Sequence, residues 1–294
     1  MHRHASRIGA DANRVPLPPA VGALLDWAPM PAADSTSNFK VTACVADHIG
    51  DRADQQDRVA IITSPKRPGT LLALLADGMG GRSGGRMASD QVMSTARNLF
   101  DELPAAGATA KDLLAQIADE SHAVIRLTAI ASEKEPHSTL VAVLLQRERA
   151  VWVHAGDSRM YHYRDGKLVH KTIDHSYGSR VTEDGELVEG GPEKDRFKNV
   201  LFSAIGIGHD LRLDYGELDD LRTGDCFVLA SDGLWAYFTE REIGAVVQKL
   251  PAREAAAALI QQARTRARGR GDNLSIAIIK LEKAEKPVVR GING

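Results

Sequence analysis

The sequence predicts an α+β fold in which two antiparallel β-sheets pack together and helices cover their outer faces. Short strand-like runs follow one another closely between residues 139 and 171, and such a succession favours antiparallel pairing. Helical segments occur in two pairs, one before this cluster of strands and one near the end of the chain. An alternating βαβ protein would instead place a helix after each strand, so the pattern favours the two-sheet arrangement.

The predicted elements follow in chain order. The early strands cover residues 39–45, 59–63 and 71–76. Two helices follow at about residues 85–103 and 109–132, the second with apolar residues at helical spacing. The clustered strands cover residues 139–145, 151–154, 159–163 and 167–171, with Asp165-Gly166 as a hairpin turn. The last elements are strands at 211–215, 226–230 and 273–281, and helices at 239–249 and 251–268.

One domain is expected between two irregular ends. Residues 1–36 are rich in Ala, Pro, Asp and Ser without a sustained period, which predicts a flexible N-terminal extension. Residues 37–282 form the predicted domain, because no repeat or linker divides them, and residues 283–294 are a polar tail. Within the domain, residues 174–200 are polar and glycine-rich, which predicts a mobile surface segment that borders a site.

Charge and cysteine content exclude several classes of protein. The chain has 37 Lys and Arg against 39 Asp and Glu, a formal net charge of -2, so no field of one sign attracts nucleic acid or anionic lipid. Only Cys44 and Cys226 are present, without CxxC spacing, which excludes a disulfide framework and a thiolate zinc site. No signal peptide or membrane span is recognisable, and a reducing cytoplasm is the expected location.

Four aspartates each lie beside one end of a predicted strand. Asp57 and Asp272 precede strands, whereas Asp77 and Asp232 follow them. If these strands are neighbours, their carboxylates meet at one edge, and such a cluster needs protons or cations to be stable at neutral pH. Clustered carboxylate oxygens suit Mg²⁺ or Mn²⁺. The alternative is that each Asp-Gly pair only marks a turn, and this explanation suffices for Asp184-Gly185.

Between residues 40 and 281 the chain resembles the metal-dependent protein phosphatases of type 2C. The motifs that carry the resemblance occur in the order of that family. They are Arg52-Ala-Asp-Gln-Gln-Asp57, Ala76-Asp-Gly-Met-Gly-Gly81, Ser138-Thr-Leu140, Ala155-Gly-Asp-Ser-Arg159, Thr172-Ile-Asp-His-Ser176, Ala204-Ile-Gly206, Gly224-Asp225, Ala230-Ser-Asp-Gly-Leu234 and Gly271-Asp-Asn273. The resemblance implies a four-layer αββα sandwich and hydrolysis of phosphoserine and phosphothreonine in proteins.

The same resemblance implies a metal site. Asp77 would bridge two Mn²⁺ or Mg²⁺ ions beside the carbonyl of Gly78, with Asp57 on one side and Asp232 and Asp272 on the other. The ions would activate a water molecule for attack on phosphorus, without a covalent enzyme intermediate.

Two further residues receive roles from the resemblance. Arg52 would bind the phosphate, since a guanidinium suits it bidentately. Asp157 would help Asp232 to hold a third, weaker cation, although an aspartate at a strand end also fits a plain turn cap.

The chain departs from the family at two places. Gln55-Gln56-Asp57 replaces the frequent Asn-Glu-Asp, so a neutral amide stands where an acidic outer-shell group is common, and a lower metal affinity is expected. Met79 follows the Asp-Gly pair where eukaryotic members carry a histidine that could protonate the leaving group. His175 is a candidate for that acid, and a structural histidine is the alternative.

Two other functions compete with this one. Gly81-Arg-Ser83-Gly-Gly85 matches the nucleophile elbow of serine hydrolases in form, but Ser83 does not follow its strand directly. A phosphatase-like module that binds phosphoproteins without hydrolysing them would keep the fold, and Gln56 is its best support. As a phosphatase, the chain would resemble stand-alone bacterial members that act as cytoplasmic monomers on the substrates of Hanks-type kinases.

Overall fold

The computed structural model describes residues 24–25 (backbone only), 39–102, 109–131, 134–177 and 200–284. Its strands are β1 Leu24–Leu25, β2 Phe39–His48, β3 Arg58–Thr63, β4 Thr70–Ala76, β5 Gly78–Met79, β6 His137–Ser138, β7 Leu140–Gln146, β8 Arg149–Ala155, β9 Arg159–Arg164, β10 Lys167–Lys171, β11 Asp214–Leu218, β12 Asp225–Ala230 and β13 Leu274–Lys283. Its helices are α1 Gly81–Glu102, α2 Ala110–Ala131, α3 Asp232–Trp235, α4 Glu240–Lys249 and α5 Ala252–Ala267.

Two antiparallel sheets form the centre of the fold. The first has the strand order β1-β2-β13-β12-β9-β10, and the second has the order β11-β8-β7-β4-β3. A separate ribbon pairs β5 with β6. The predicted α+β class with two antiparallel sheets is confirmed, and so is the hairpin between β9 and β10, where Asp165 and Gly166 both have positive φ.

The alternation of side chains along each strand produces the layers. Leu72 and Leu74 of β4 face α1 and α2, whereas Leu71 and Leu75 face the other sheet. Because both faces of this strand are covered, its sequence is a continuous apolar run. The first sheet is covered in the same way by α4 and α5, whose Leu259 is fully buried against it. The result is an αββα order of layers.

The structure corrects the predicted elements at several places. The strand expected at 211–215 runs instead from Asp214 to Leu218, because β8 ends at Ala155 and Asp214 pairs with His154 near that end. Leu211 and Leu213 pack on the α1–α2 cluster without belonging to a strand. The short elements β1, β5, β6 and α3 were not expected, since two to four residues give too little periodicity to recognise.

Part of the predicted organisation is not described by the structure. Of the expected extension at residues 1–36, only residues 24–25 are described, and they pair with Cys44 and Ala43 of β2. Residues 178–199 of the expected surface segment and residues 285–294 of the tail also lie outside the described residues. The domain boundaries therefore stay a prediction. In the described part of the chain, no helix combines the length and the hydropathy that a membrane crossing requires.

Candidate active site

Strand pairing in the second sheet brings Asp57 and Asp77 together. Arg58 at the start of β3 lies opposite Ala76 at the end of β4, so the aspartates just beyond this pair are neighbours. Asp77 is fixed further by its backbone, since its N–H donates to Thr139 Oγ1 at 2.9 Å and its carbonyl accepts from Thr139 N at 2.8 Å.

Strand pairing in the first sheet brings three more aspartates to the same edge of the sandwich. Ala230 at the end of β12 pairs with Ile276 of β13 on one side and with Arg159 of β9 on the other. Asp232 follows β12, while Asp272 and Asp157 precede β13 and β9. The aspartates therefore come from both sheets, and only the packing of one sheet on the other makes them converge.

A cavity of about 470 Å³ lies at this edge. Its lining includes the residues Arg52, Asp54, Gln56, Asp77, Gly78, Met79, Asp157, Asp232, Asp272 and Asn273. Asp57 lies behind the lining and is 2% exposed. Among the described residues, its Oδ2 atom has no hydrogen-bond partner. A carboxylate oxygen in this position is costly unless a proton or a cation reaches it.

Burial and mutual repulsion raise the pKa of these carboxyl groups. Burial raises the pKa of Asp57 to about 7, and the charge of Asp232 adds to the effect. Burial followed by the charges of Asp232 and Asp174 raises the pKa of Asp157 to about 7. Burial and the charge of Asp57 hold the pKa of Asp77 well above its ordinary range. Full ionisation at neutral pH therefore requires positive charge in the cavity.

The residues of the cavity fit a divalent metal. The available donors include carboxylate oxygens, which Mg²⁺ and Mn²⁺ prefer, and the partnerless Asp57 Oδ2 is an oxygen that a cation could satisfy. Gly78 allows the backbone of β5 to approach α1 closely, because a Cβ there would collide with the carbonyl oxygen of Gly85. A larger residue would separate the two segments.

Arg52 lies at the rim of the cavity with 62% of its side chain exposed. Its Nη2 atom is 2.5 Å from Asp272 Oδ2. The segment that carries Arg52 is held by Asp51, whose N–H donates to the Gly271 carbonyl at 3.0 Å and whose Oδ2 accepts from Gly271 N at 2.7 Å. Arg52 therefore points its guanidinium towards the aspartate edge from a well-anchored loop.

Asn273 is a positioning residue to which sequence reasoning assigned no role. Its Oδ1 accepts from Gln56 N at 2.7 Å, and its Nδ2 donates to the carbonyls of Ile49 and Asp54 at 2.8 and 3.0 Å. One buried amide thus joins the start of β13 to the loop before β3. Its presence in Gly271-Asp-Asn273 was the available signal, but the partners are more than 200 positions away.

The structure places the remaining predicted residues as follows. Gln56 lines the cavity, and its Nε2 donates to the Gly81 carbonyl at 3.3 Å. Met79 also lines the cavity. His175 is buried outside the lining, and its ring is tilted by 34° to that of His154, with ring centroids 4.6 Å apart. Ser83 is exposed in the first turn of α1 and does not follow a core strand directly.

Comparison with known proteins identifies the family. The family model described as "Protein phosphatase 2C" matches residues 46–270, which is most of the chain. This chain belongs to the protein phosphatase 2C family. The resemblance inferred from its motifs is therefore confirmed.

Relatives of known name and structure agree with this assignment. The serine/threonine protein phosphatase PstP of Mycobacterium tuberculosis is 31% identical over 216 residues, which is 71% of this chain and 40% of PstP. The chain thus spans less than half the length of this relative.

The serine/threonine phosphatase of S. agalactiae superposes with a TM-score of 0.71 at 26% identity, covering 83% of this chain and 100% of that one. The catalytic domain of PstP in complex with two manganese ions superposes with a TM-score of 0.68 at 26% identity, covering 83% of this chain and 100% of that one.

Proposed function

We propose that this chain is a metal-dependent protein phosphatase that hydrolyses phosphoserine and phosphothreonine residues of proteins. The observation that carries the proposal is the convergence of Asp57, Asp77, Asp232 and Asp272 at one cavity with an arginine at its rim. The family membership supports it, since the named relatives are serine/threonine phosphatases.

The residues that would hold Mn²⁺ or Mg²⁺ are the four aspartates and the carbonyl of Gly78. Two ions per site are proposed, as in the PstP complex with two manganese ions. Asp157 and Asp232 would hold a third, weaker ion, because the charge of Asp232 is the strongest ionic influence on Asp157. When bound, such ions neutralise the carboxylates and lower the pKa of water, which supplies the nucleophile at neutral pH.

Arg52 would bind and orient the phosphate of the substrate. Its ion pair with Asp272 is exposed on both sides, with 62% and 40% of the two side chains accessible, so the pair contributes little to stability. A phosphate dianion offers the guanidinium a bidentate partner of greater charge. If Arg52 released Asp272 and bound the phosphate instead, the phosphate ester would lie at the mouth of the aspartate cavity.

The substrates are proposed to be phosphoproteins made by a Hanks-type kinase, and the location is proposed to be the cytoplasm. Both cysteines are free and buried, which is consistent with a reducing compartment. The segment at residues 174–200 is proposed to influence substrate choice, since its described start at Asp174 pairs with Arg159, two residues after Asp157. Action as a monomer stays a prediction that size-exclusion chromatography checks.

Turnover of a phosphothreonine peptide tests the function. The full chain, stripped of metal, is assayed with and without Mn²⁺, next to the Asp232→Asn variant. We expect phosphate release only with added metal, reversible loss in EDTA, and no release by the variant. Turnover in chelator after verified metal removal would refute the metal mechanism. Saturable peptide binding without phosphate release would support the phosphoprotein-binding module instead.

A further inference from the structure

A second group of metal-ligating side chains lies outside the aspartate cavity. It consists of His154, His175 and Asp214 and is named here the His–His–Asp cluster. One ring nitrogen of each histidine and one carboxylate oxygen lie within 4.8 Å of one another. Both histidines are buried, and Asp214 is partly exposed. None of the three has a role in the proposed reaction.

Three separate parts of the fold supply this cluster. His154 of β8 and Asp214 of β11 are directly opposite each other in the second sheet. His175 follows β10, and its backbone N–H donates to the Gly156 carbonyl at 2.8 Å, which fixes the chain beside the end of β8. Strand pairing therefore places His154 and Asp214, and a backbone hydrogen bond places His175 beside them.

The position of His175 Nε2 relative to Asp214 fits two ligands of one ion. This nitrogen is buried, and although Asp214 Oδ2 is only 3.1 Å away, the two atoms do not form a well-aligned hydrogen bond. The oxygen must therefore lie out of line with the ring N–H direction. Two ligands about 2.1 Å from one metal at roughly 95–110° are about 3.1–3.4 Å apart and off each other's axis.

His154 makes the kind of hydrogen bond that metal-binding histidines usually make with the ring nitrogen that does not bind the metal. Its Nε2 donates to the Ile173 carbonyl at 2.8 Å, so the proton sits on Nε2 and the lone pair on Nδ1. Burial lowers the pKa of His154 to about 4 and also lowers the pKa of His175. Both rings are neutral at physiological pH, and protons do not compete with a metal.

Two existing contacts of the cluster would have to change if an ion bound there. Arg212 contacts both carboxylate oxygens of Asp214, with Nε 3.3 Å from Oδ1 and Nη2 3.5 Å from Oδ2, but both distances are long and the arginine side chain is 61% exposed. Gly156 N donates to His175 Nδ1 over a long 3.4 Å, and this bond would be lost when a metal on Nε2 moves the ring proton to Nδ1. Neither contact is strong enough to exclude an ion.

We propose that the His–His–Asp cluster binds one divalent transition metal of the zinc type, separately from the aspartate cavity. Two imidazoles and one carboxylate are a zinc ligand set, with water completing the coordination from the exposed side of Asp214. Mg²⁺ does not favour imidazole. The ion would join β8, β11 and the segment of Asp174, whose carboxylate binds Arg159 at 2.8 and 2.7 Å beside Asp157.

Zinc binding to the full chain tests the proposal directly. Metal-stripped protein is dialysed against Zn²⁺ alone, and bound zinc is counted by elemental analysis for the unchanged chain, Asp214→Asn and His175→Gln. Asp210→Asn is the matched control, because Asp210 is an exposed aspartate four residues before Asp214. We expect Asp214→Asn to bind one zinc fewer, with an affinity at the lost site reduced by at least about 100-fold.

Thermal melting gives a second readout that does not depend on activity. Zn²⁺ should raise the melting temperature of the unchanged chain and of Asp210→Asn more than that of Asp214→Asn. Equal zinc counts for Asp214→Asn and the unchanged chain would overturn the proposal. An equal loss of bound zinc in Asp214→Asn and in Asp210→Asn would also overturn it. If His175→Gln does not fold, Asp214→Asn alone decides, since Asp214 is partly exposed and its backbone pairing is unchanged.

Discussion

Trp235 fixes the backbone of Asp157 by a direct hydrogen bond, in which its Nε1 donates to the Asp157 carbonyl at 3.0 Å. The ring of Trp235 also lies under the guanidinium of Arg159, whose central carbon is 3.3 Å from the ring centroid. Arg159 in turn binds both carboxylate oxygens of Asp174. A short helix, a strand end and a loop thus hold Asp157 in place at the aspartate cavity.

Trp235→Phe should weaken the binding of the proposed third metal. The variant keeps an aromatic ring for Arg159 but removes the hydrogen-bond donor to the Asp157 carbonyl. Loss of this hydrogen bond should destabilise the position of Asp157 by about 1 kcal/mol. Since about 1.4 kcal/mol corresponds to tenfold in a binding constant, we expect the Mn²⁺ concentration for half-maximal activity to rise by roughly fivefold. A titration of Mn²⁺ against initial rate measures it. Tyr237→Phe, on the same segment, is the control, and an unchanged midpoint in Trp235→Phe would contradict this role.

Arg52→Ala should raise KM for a phosphothreonine peptide. Loss of charge-assisted hydrogen bonds to phosphate, about 1.5–3 kcal/mol in total, predicts a KM about 10- to 150-fold higher. Steady-state kinetics at saturating Mn²⁺ measures the change. Arg86→Ala removes another exposed arginine, one that pairs with Asp54, and should leave KM within about twofold. Equal effects of both substitutions would argue against a specific phosphate contact.

Asp77→Asn should abolish activity without unfolding the protein. The amide cannot replace an anionic metal ligand, while it removes a buried charge that the other aspartates repel. In metal-free buffer we therefore expect the melting temperature of the variant to equal or exceed that of the unchanged chain. Circular dichroism and phosphate release measure the two properties. Asp90→Asn, an exposed aspartate paired with Arg58, is the control, and a markedly lower melting temperature of Asp77→Asn would assign Asp77 a structural role.

The metal-free protein should lose stability as the pH rises from 4 to 7. The folded pKa of Asp57 is about 7, above its ordinary value of 3.8, so in this window the folded state holds a proton that the unfolded chain releases. Stability is greatest below the unfolded pKa and falls as the pH rises towards the folded pKa. We expect a loss of at least about 2 kcal/mol, or roughly 5 °C in melting temperature.

Melting curves at pH 5, 6, 7 and 8 check this pH dependence. Saturating Mn²⁺ should flatten it, because cations take the place of the protons at the carboxylates. Asp77→Asn should flatten it in metal-free buffer. A melting temperature of the metal-free chain that rises between pH 5 and 7 would contradict the raised pKa values.

The local features of the site could be predicted from the sequence. Asp77 follows an uninterrupted apolar run and Asp272 precedes one, and strand ends of this kind depend on neighbouring residues alone. The Asp165-Gly166 turn was predicted for the same reason. The position of β11 was not, since its residues are only moderately apolar and their pairing depends on where β8 ends.

Contacts between distant segments were decided by the tertiary structure. The amino-acid sequence determined which residues end strands, which faces are apolar and which family motifs are present. It could not show that Asp57 is buried with a partnerless oxygen, that Asn273 joins two loops, or that His154, His175 and Asp214 meet. Burial and hydrogen bonding depend on the packing of two sheets whose contacts join residues up to 240 positions apart. The spacing of residues along the chain does not predict which of these distant residues come into contact.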